Sequence, residues 1–333
     1  MYVPHLFSPR RAYAHVCAAL LVIVTAAAFP SAAVSDPPPG AHVVYTFSVP
    51  SPLDVGTGFD SVWVTEGPSR RVTRIDPSTN SVSAVIPTPV NAFGVTFGAG
   101  SVWVSSPPSN SVLRIDPATN AVVATIPSGG LLPGGIAYFD GYVWVANHHG
   151  SPTGSIAKID PVTNSVVDVI PVGAAQFTAG PADVAGGAGS LWTGVPNLGA
   201  VVRIDPATDQ VVATIPVNGV CAAIVATDTA VWVAGGSRRG CSPGITKLDP
   251  TTNQVVGDKI NAGGSVLGLG LGFGSLWFGT RTSDFLGRVD PSTDAIVGQL
   301  KLPGSDSAHT PTGFGSVWVG DLADNLLFRV EPE

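Results

Sequence analysis

The chain has 333 residues, of which 44% are hydrophobic and only 12% are charged, and its 23 acidic side chains outnumber its 16 lysines and arginines to give a net charge of −7. Seven of those basic residues recur singly at one position of a repeat, so no basic stripe is available and nucleic acid is not an expected partner. The 40 glycines and 30 prolines, with so few charges, favour short buried strands joined by tight turns.

The first 33 residues have the pattern of an export signal. Arg10 and Arg11 precede an apolar run, residues 18–28, that is short for a membrane span, and small residues end at Ala33, where cleavage would occur. We therefore predict a signal peptide over 1–33, a linker over 34–41 and a secreted or extracytoplasmic protein without a membrane span in its mature chain. A twin-arginine signal and a retained N-terminal anchor are the alternatives.

Seven tryptophans mark a repeat that fills the rest of the chain. Each is followed, after 11 to 15 residues, by a basic residue, an aliphatic residue, an acid and a proline, as in Arg74-Ile75-Asp76-Pro77. The tryptophans are Trp63, Trp103, Trp144, Trp192, Trp232, Trp277 and Trp318. A period of about 40 residues built from short β-type segments is typical of a β-propeller. We predict an all-β, seven-bladed propeller over 42–333, with four antiparallel strands in each blade.

The second repeat illustrates the predicted blade, with strands over 93–97, 101–105, 111–115 and 121–126. We expect its tryptophan to fill the gap between adjacent blades. The seventh repeat ends after its third strand, and residues 42–49 match the missing fourth strand in sequence pattern. We therefore predict that 42–49 completes the last blade and closes the ring, which also covers a free strand edge.

The loops divide into two classes that lie on opposite faces of the ring. The Gly-x-Gly turns and the Asp-Pro turns barely vary, whereas the loops on the other face, called here the irregular face, are long in blades 3 and 5 and before blade 4. Variable loops on a rigid scaffold commonly form binding sites. Cys221 and Cys241 both belong to the irregular face and are the cysteines left after signal removal, so we predict a disulfide between them.

Polar residues interrupt an inner-strand position that lies nine residues before each tryptophan. It is glycine or alanine in four repeats but Asp54, Asp183 or His309 in the other three. Three residues after the tryptophan, Glu66 and Asp321 stand out in blades 1 and 7, which closure makes neighbours. We expect Asp54, Glu66, Asp321 and His309 to converge and hold Mg²⁺ or Ca²⁺, which prefer oxygen ligands. The alternative is that each is a solvated loop residue or turn former.

The irregular face supplies further ligand-binding candidates besides Asp183. Asn147, His148 and His149 lie in or beside the long loop of blade 3, and Arg238 and Arg239 lie in that of blade 5. Adjacent side chains on a strand point to opposite sides, so the two histidines are not expected to share one metal ion. The arginines suit an acidic ligand. Exposed loop residues without a function are the alternative for both pairs.

The repeats resemble two related groups of bacterial seven-bladed propellers. Residues 114–126 are similar to the units of proteins with tandem YVTN repeats, which are often binding or assembly proteins. Trp63-Val64-Thr65-Glu66 resembles a motif of the streptogramin (virginiamycin B) lyase group, which opens a cyclic depsipeptide by Mg²⁺-assisted elimination. That second resemblance implies His309 and Glu66 as catalytic residues. The Pro-His-Gly motif of the lyase group is absent from the sequence.

Because no complete catalytic set can be named, we predict an exported, monomeric propeller that binds a small molecule, a peptide or a cell-surface partner on its irregular face. The alternative is a metal-dependent lyase or lactone-opening hydrolase. In that case Asp54, Glu66 and Asp321 hold the ion and His309 acts as general base or acid. A purely structural envelope protein is a third hypothesis.

Overall fold

The computed structural model describes residues 40–149, 154–173, 180–236, 242–281, 284–304 and 307–333. The predicted signal peptide lies outside these ranges. Within them, 29 strands form seven antiparallel sheets, one for each blade, all in a compact unit over Asp36–Glu333. No helix in the described ranges is long and apolar enough to cross a membrane. The prediction of an all-β propeller with seven blades is confirmed.

Blades 1 to 4 each contain four strands in chain order, from the inner strand to the outer one. Blade 1 comprises β2 (Pro52–Gly58), β3 (Ser61–Glu66), β4 (Arg71–Asp76) and β5 (Ser81–Pro87). Blade 2 comprises β6 (Val95–Gly98), β7 (Ser101–Ser106), β8 (Ser111–Asp116) and β9 (Ala121–Pro127). Blade 3 comprises β10 (Leu131–Phe139), β11 (Tyr142–His149), β12 (Ser155–Asp160) and β13 (Ser165–Pro171). Blade 4 comprises β14 (Val184–Gly187), β15 (Ser190–Val195), β16 (Ala200–Asp205) and β17 (Gln210–Pro216).

Blades 5 to 7 follow the same order, except that the last blade takes its outer strand from the start of the chain. Blade 5 comprises β18 (Val220–Ala226), β19 (Val231–Gly235), β20 (Gly244–Asp249) and β21 (Gln254–Ile260). Blade 6 comprises β22 (Ser265–Gly272), β23 (Ser275–Arg281), β24 (Phe285–Asp290) and β25 (Ala295–Lys301). Blade 7 comprises β26 (Ser307–Ala308), β27 (Thr312–Gly313), β28 (Ser316–Asp321), β29 (Leu326–Pro332) and β1 (Ala41–Ser48).

The ring closes as predicted. β1 pairs antiparallel with β29, from Ala41 opposite Pro332 to Ser48 opposite Leu326. Phe47 and Val49 then join the buried cluster that contains Trp318 and the core of blade 1. The first and last strands of the propeller therefore belong to one sheet, and β1 covers the edge of β29 that would otherwise be free.

The repeated tryptophans lie between neighbouring blades. Trp63, for example, is fully buried and packs in one cluster with Val102 and Val104 of blade 2. In six blades the indole Nε1 donates to the carbonyl oxygen five residues earlier, at 2.9 to 3.1 Å. Each of these tryptophans therefore fills the gap between two blades and also stabilises, by its hydrogen bond, the turn that precedes its own strand. This is expected of a large side chain with one polar atom.

The basic residue of each tetrad joins one blade to the next, a role that the sequence pattern did not predict. Arg74 stacks with its Cζ 4.8 Å from the ring centre of Trp63, and its Nη1 donates to Pro117 O at 2.6 Å and Asn120 Oδ1 at 3.0 Å in blade 2. In the two blades where the basic residue is lysine, its partner in the next blade is an aspartate instead of an asparagine. The lysine pairs are Lys158–Asp209 and Lys247–Asp294, both at 2.8 Å. A carboxylate compensates the point charge of lysine, which lacks the fork of donors of arginine.

Candidate functional site

A cavity of about 310 Å³ lies in the central channel and is lined by inner-strand residues from all seven blades. Its walls are mostly apolar. They include Val55, Phe93, Val95, Ile136, Leu267 and Leu269. Its titratable lining residues are Asp54, Asp183 and His309. These three come from blades 1, 4 and 7, and they are the polar exceptions that the repeat alignment singled out. Because the inner strands begin at the irregular face, the cavity lies towards that face.

Asp54 and His309 form a close pair across the closed ring. His309 Nδ1 lies 2.8 Å from Asp54 Oδ1. The carboxylate also accepts the backbone N–H groups of Val55 and Val95, each at 2.8 Å. Asp54 therefore fixes the orientation of the imidazole and leaves the other ring nitrogen, Nε2, available for a ligand. The side chain of His309 is 34% exposed, so solvent and small solutes can reach it.

A break in the inner strand of blade 7 brings His309 to this position. The strand is divided into β26 and β27, and His309, between them, has a φ of +38°. Left-handed backbone is unfavourable for a residue with a Cβ and persists where surrounding contacts enforce it, commonly at functional sites. Gly268 of blade 6 makes room, since a Cβ there would overlap the backbone of His309.

Asp183 occupies the equivalent position in blade 4. Its Oδ1 accepts Val184 N–H at 2.9 Å and its Oδ2 accepts Ile224 N–H, from blade 5, at 3.1 Å. Gly135 of blade 3 is required beside it, because a Cβ at that residue would overlap the Asp183 carboxylate. Asp183, like Asp54, therefore bonds one backbone N–H of its own blade and one of the next blade.

Two groups in the cavity have perturbed pKa values. Burial raises the pKa of Asp183 from its ordinary 3.8 to about 6, although the two backbone N–H groups and His309 oppose the change. Burial lowers the pKa of His309, but the charge and hydrogen bond of Asp54, with the charge of Asp183, outweigh it and leave that pKa raised. Perturbed pKa values of neighbouring groups in one cavity are typical of a functional site.

Glu66 and Asp321 do not join this cluster. Glu66 is fully buried and accepts Arg71 Nε at 2.6 Å together with the hydroxyl of Thr73. Asp321 is also fully buried and accepts the Asp324 N–H at 2.9 Å. Both lie at the buried end of the second strand, which packs between blades, whereas the position of Asp54 faces the channel. The expected convergence of four ligands is therefore not seen, and the described residues contain no group of three His, Cys, Asp or Glu suited to a metal ion.

The other predicted ligand-binding residues lie apart from the cavity or outside the described ranges. Asn147 is fully buried and its Nδ2 donates to Ser128 O at 3.0 Å. The rings of His148 and His149 contact edge to face, with centres 4.8 Å apart, rather than pointing to opposite sides. Arg238, Arg239 and Cys241 lie outside the described residues, as does the side chain of Cys221. The disulfide and the arginine site remain predictions.

The apolar walls of the cavity escaped the sequence analysis. Phe93 directly precedes Gly94, and Leu267 and Leu269 flank Gly268, the glycines equivalent to Asp54 in their own repeats, so the same alignment contained the signal. It was not used because apolar residues on inner strands are equally expected in an ordinary core. Only the polar exceptions distinguish the channel from the interblade packing.

No protein-family model matches the sequence, and no curated protein matches it. Solved structures do match. The hydrazine synthase of Kuenenia stuttgartiensis superposes with a TM-score of 0.72 at 16% identity, over 87% of this chain and 98% of that chain. The virginiamycin B lyase from Staphylococcus aureus gives 0.71 at 16% identity, over 87% and 99%. A streptogramin B lyase gives 0.71 at 17% identity, over 87% and 98%. The chain thus shares with these proteins the fold of a seven-bladed β-propeller.

Proposed function

We propose that this protein binds a small molecule in the central cavity, through Asp54, Asp183 and His309. One observation carries the proposal: three titratable side chains from three separate blades line a single concave, otherwise apolar cavity. Such a cavity with a few convergent polar groups is the usual form of a small-molecule site. A concave site in the channel favours a small ligand over a cell-surface protein. Secretion and a monomeric state are part of the proposal on sequence grounds.

The charges in the cavity define the chemistry of the ligand. At pH 7 most of Asp183 is ionised because its pKa is about 6, and the two carboxylates raise the pKa of His309, which favours the imidazolium. The group carries a net negative charge in apolar surroundings, where charges act over a low effective dielectric constant. We expect a ligand with a cationic or hydrogen-bond-donating group and an apolar remainder.

Thermal unfolding with a panel of size-matched small amines, amides and alcohols tests this proposal. We expect a saturable rise in melting temperature with the amines for residues 34–333. The Asp183→Asn and Asp54→Asn variants should lose that rise. Asp60→Asn, which removes one charge from an exposed turn on the other face, should keep it. An equal response of all four proteins, or no response to any compound, would rule out the cavity as the site.

Proton transfer is the second candidate, favoured by the two raised pKa values. Two of the similar structures are lyases by name, and elimination requires one base and one acid. Asp183, whose pKa is about 6, serves as the base, and His309, whose pKa is raised, serves as the acid. Asp183 takes a proton from carbon, a C=C bond forms, the C–O bond breaks, and His309 protonates the departing oxygen. Asp54 holds the imidazole, so the residues divide these roles without a further group.

This second candidate is tested with a linear or cyclic ester that carries an acidic C–H next to its carbonyl. The expected pH–rate profile is bell-shaped, with its acid limb near pH 6, the pKa of Asp183. The predicted Mg²⁺ or Ca²⁺ is tested in the same assay by chelation and adding the ion back. Asp54 and Asp183 each accept two backbone N–H groups, which leaves the remaining lone pairs of each carboxylate for a ligand.

A further inference from the structure

The polar groups of the central cavity lie at two opposite ends of it. Asp183 belongs to blade 4, which is separated from blade 1 by blades 2 and 3 and from blade 7 by blades 5 and 6. In a ring of seven blades it therefore faces the junction of blades 7 and 1, where Asp54 and His309 form their pair. The charge of Asp183 still raises the pKa of His309, so one small ligand can span the gap between the two ends.

The walls between these two ends are apolar on both sides. Phe93 and Val95 of blade 2 line one side, and Leu267 and Leu269 of blade 6 line the other. Such side chains offer no hydrogen-bonding group to a ligand. The cavity volume of about 310 Å³ is at the small end of the range for ligand sites. The cavity therefore suits a short ligand with a polar group at each end and an apolar middle.

The two ends require different chemical groups. Among the described residues, the Asp183 carboxylate accepts only backbone N–H groups, so its charge is left for an ammonium group. At the other end Asp54 balances the imidazolium that the raised pKa of His309 favours. The Nε2–H group of that ring then suits a neutral carbonyl oxygen, whereas a carboxylate there would be repelled by Asp54. All three side chains are only partly buried, so a ligand can reach both ends.

We propose that the ligand is a primary amine that also carries a carbonyl group, such as an amino amide, with its ammonium group on Asp183 and its carbonyl oxygen on His309 Nε2. Such a ligand has one positive charge, which matches the one carboxylate that has no ionic partner in the cavity. A simple amine lacks the acceptor for His309, and a zwitterionic amino acid adds a charge that Asp54 disfavours. This ligand class rests on the proposed function, because it concerns the same cavity.

Two matched series of small amines test this ligand class by isothermal titration of the protein at pH 7. One series consists of ω-amino amides with one to five methylene groups between the ammonium and the carboxamide. The other series replaces the carboxamide by an isopropyl group of nearly the same size and shape. If both ends of the cavity are used, one amide length should be optimal and bind about tenfold or more tightly than its isopropyl analogue, as expected for a hydrogen bond from a charged donor. The ω-amino acid of that length should bind more weakly than the amide.

Variants assign the two ends of the ligand. His309→Phe should remove the advantage of the amide while the amines still bind, whereas Asp183→Asn should weaken the binding of both series. His42→Phe makes the same replacement at an exposed residue of the outer strand β1 and should leave both series unchanged. If His309→Phe fails to fold, the comparison of the two series on the unaltered protein still decides, because it depends on no substitution.

Failure of this ligand class is distinct from failure of the proposed function. If both series bind and the amide is no tighter at any length, the cavity is an amine site without a carbonyl partner, and the proposal is wrong. An amide advantage that persists in His309→Phe, or an amino acid that binds more tightly than the amide, contradicts it as well. If neither series binds, the proposed function of the cavity fails together with its ligand class.

Discussion

Ionisation of Asp183 should make the protein less stable as the pH rises through the range from about 4 to 6. In the unfolded chain this carboxyl loses its proton near pH 3.8, whereas in the folded chain it holds the proton to about pH 6. Folded protein binds more protons in this interval, so the free energy of unfolding falls as pH increases and then levels off. At about 1.4 kcal/mol for each pKa unit, the difference between 3.8 and about 6 corresponds to about 3 kcal/mol.

The assay is denaturant-induced unfolding of the protein and of Asp183→Asn at pH 4, 5, 6, 7 and 8. Asparagine removes the charge and also disturbs the bonds to Val184 and Ile224, but the latter cost is the same at each pH. The stability of the protein relative to the variant should therefore fall by about 2 kcal/mol between pH 4 and pH 8, because the rest of the ~3 kcal/mol is already lost below pH 4. Other titrating groups cancel in this comparison, except for His309, whose pKa falls when the Asp183 charge is removed. A difference that is constant across the pH range would refute the argument from burial.

Three further predictions concern the scaffold. Arg74→Lys should lower the free energy of unfolding by about 1–2 kcal/mol, because lysine cannot make the several hydrogen bonds of the guanidinium. Adding Asn120→Asp should restore part of that free energy, so a double-mutant cycle should show favourable coupling between the two positions. Deleting residues 42–49 should yield insoluble or polymerising protein by exposing the edge of β29, and a soluble monomer with unchanged melting would contradict the closure. Peptide mapping without reductant should show a Cys221–Cys241 crosslink, and its reduction should lower stability by about 3 kcal/mol.

The repeat made the fold predictable because every structural position is sampled seven times. A tryptophan that recurs at one spacing can be placed between blades without a structure, and a missing strand can be found by comparing one end of the chain with the other. The inner-strand position of Asp54, Asp183 and His309 was found in the same way. Its departures from glycine and alanine are visible only against the other four repeats.

The side-chain contacts between blades were not predictable from spacing along the chain. Arg74 and Asn120 lie in different repeats, and their hydrogen bond depends on how far one blade is rotated against the next. The same limit explains Glu66. Its repeat position was identified correctly as the end of the second strand, but whether that end faces the channel or the interblade core depends on strand twist. Arg71 and Thr73 in the adjacent strand bind its carboxylate instead.

A structural role alone does not account for the polar cluster in the channel. Asp54 and Asp183 do bond the inner strand of the next blade, and that contact by itself would explain both carboxylates. Blades 3 and 4, however, are joined by a backbone bond from Gly135 N to Ala182 O at 3.0 Å, with glycine at the equivalent position. The contact between blades 3 and 4 therefore forms without a carboxylate at this position. His309 adds a partly exposed imidazole to the channel, at a position where four repeats have only glycine or alanine. Titratable side chains thus replace glycine or alanine at three inner-strand positions and line one cavity, which is the pattern expected of a site retained for its chemistry.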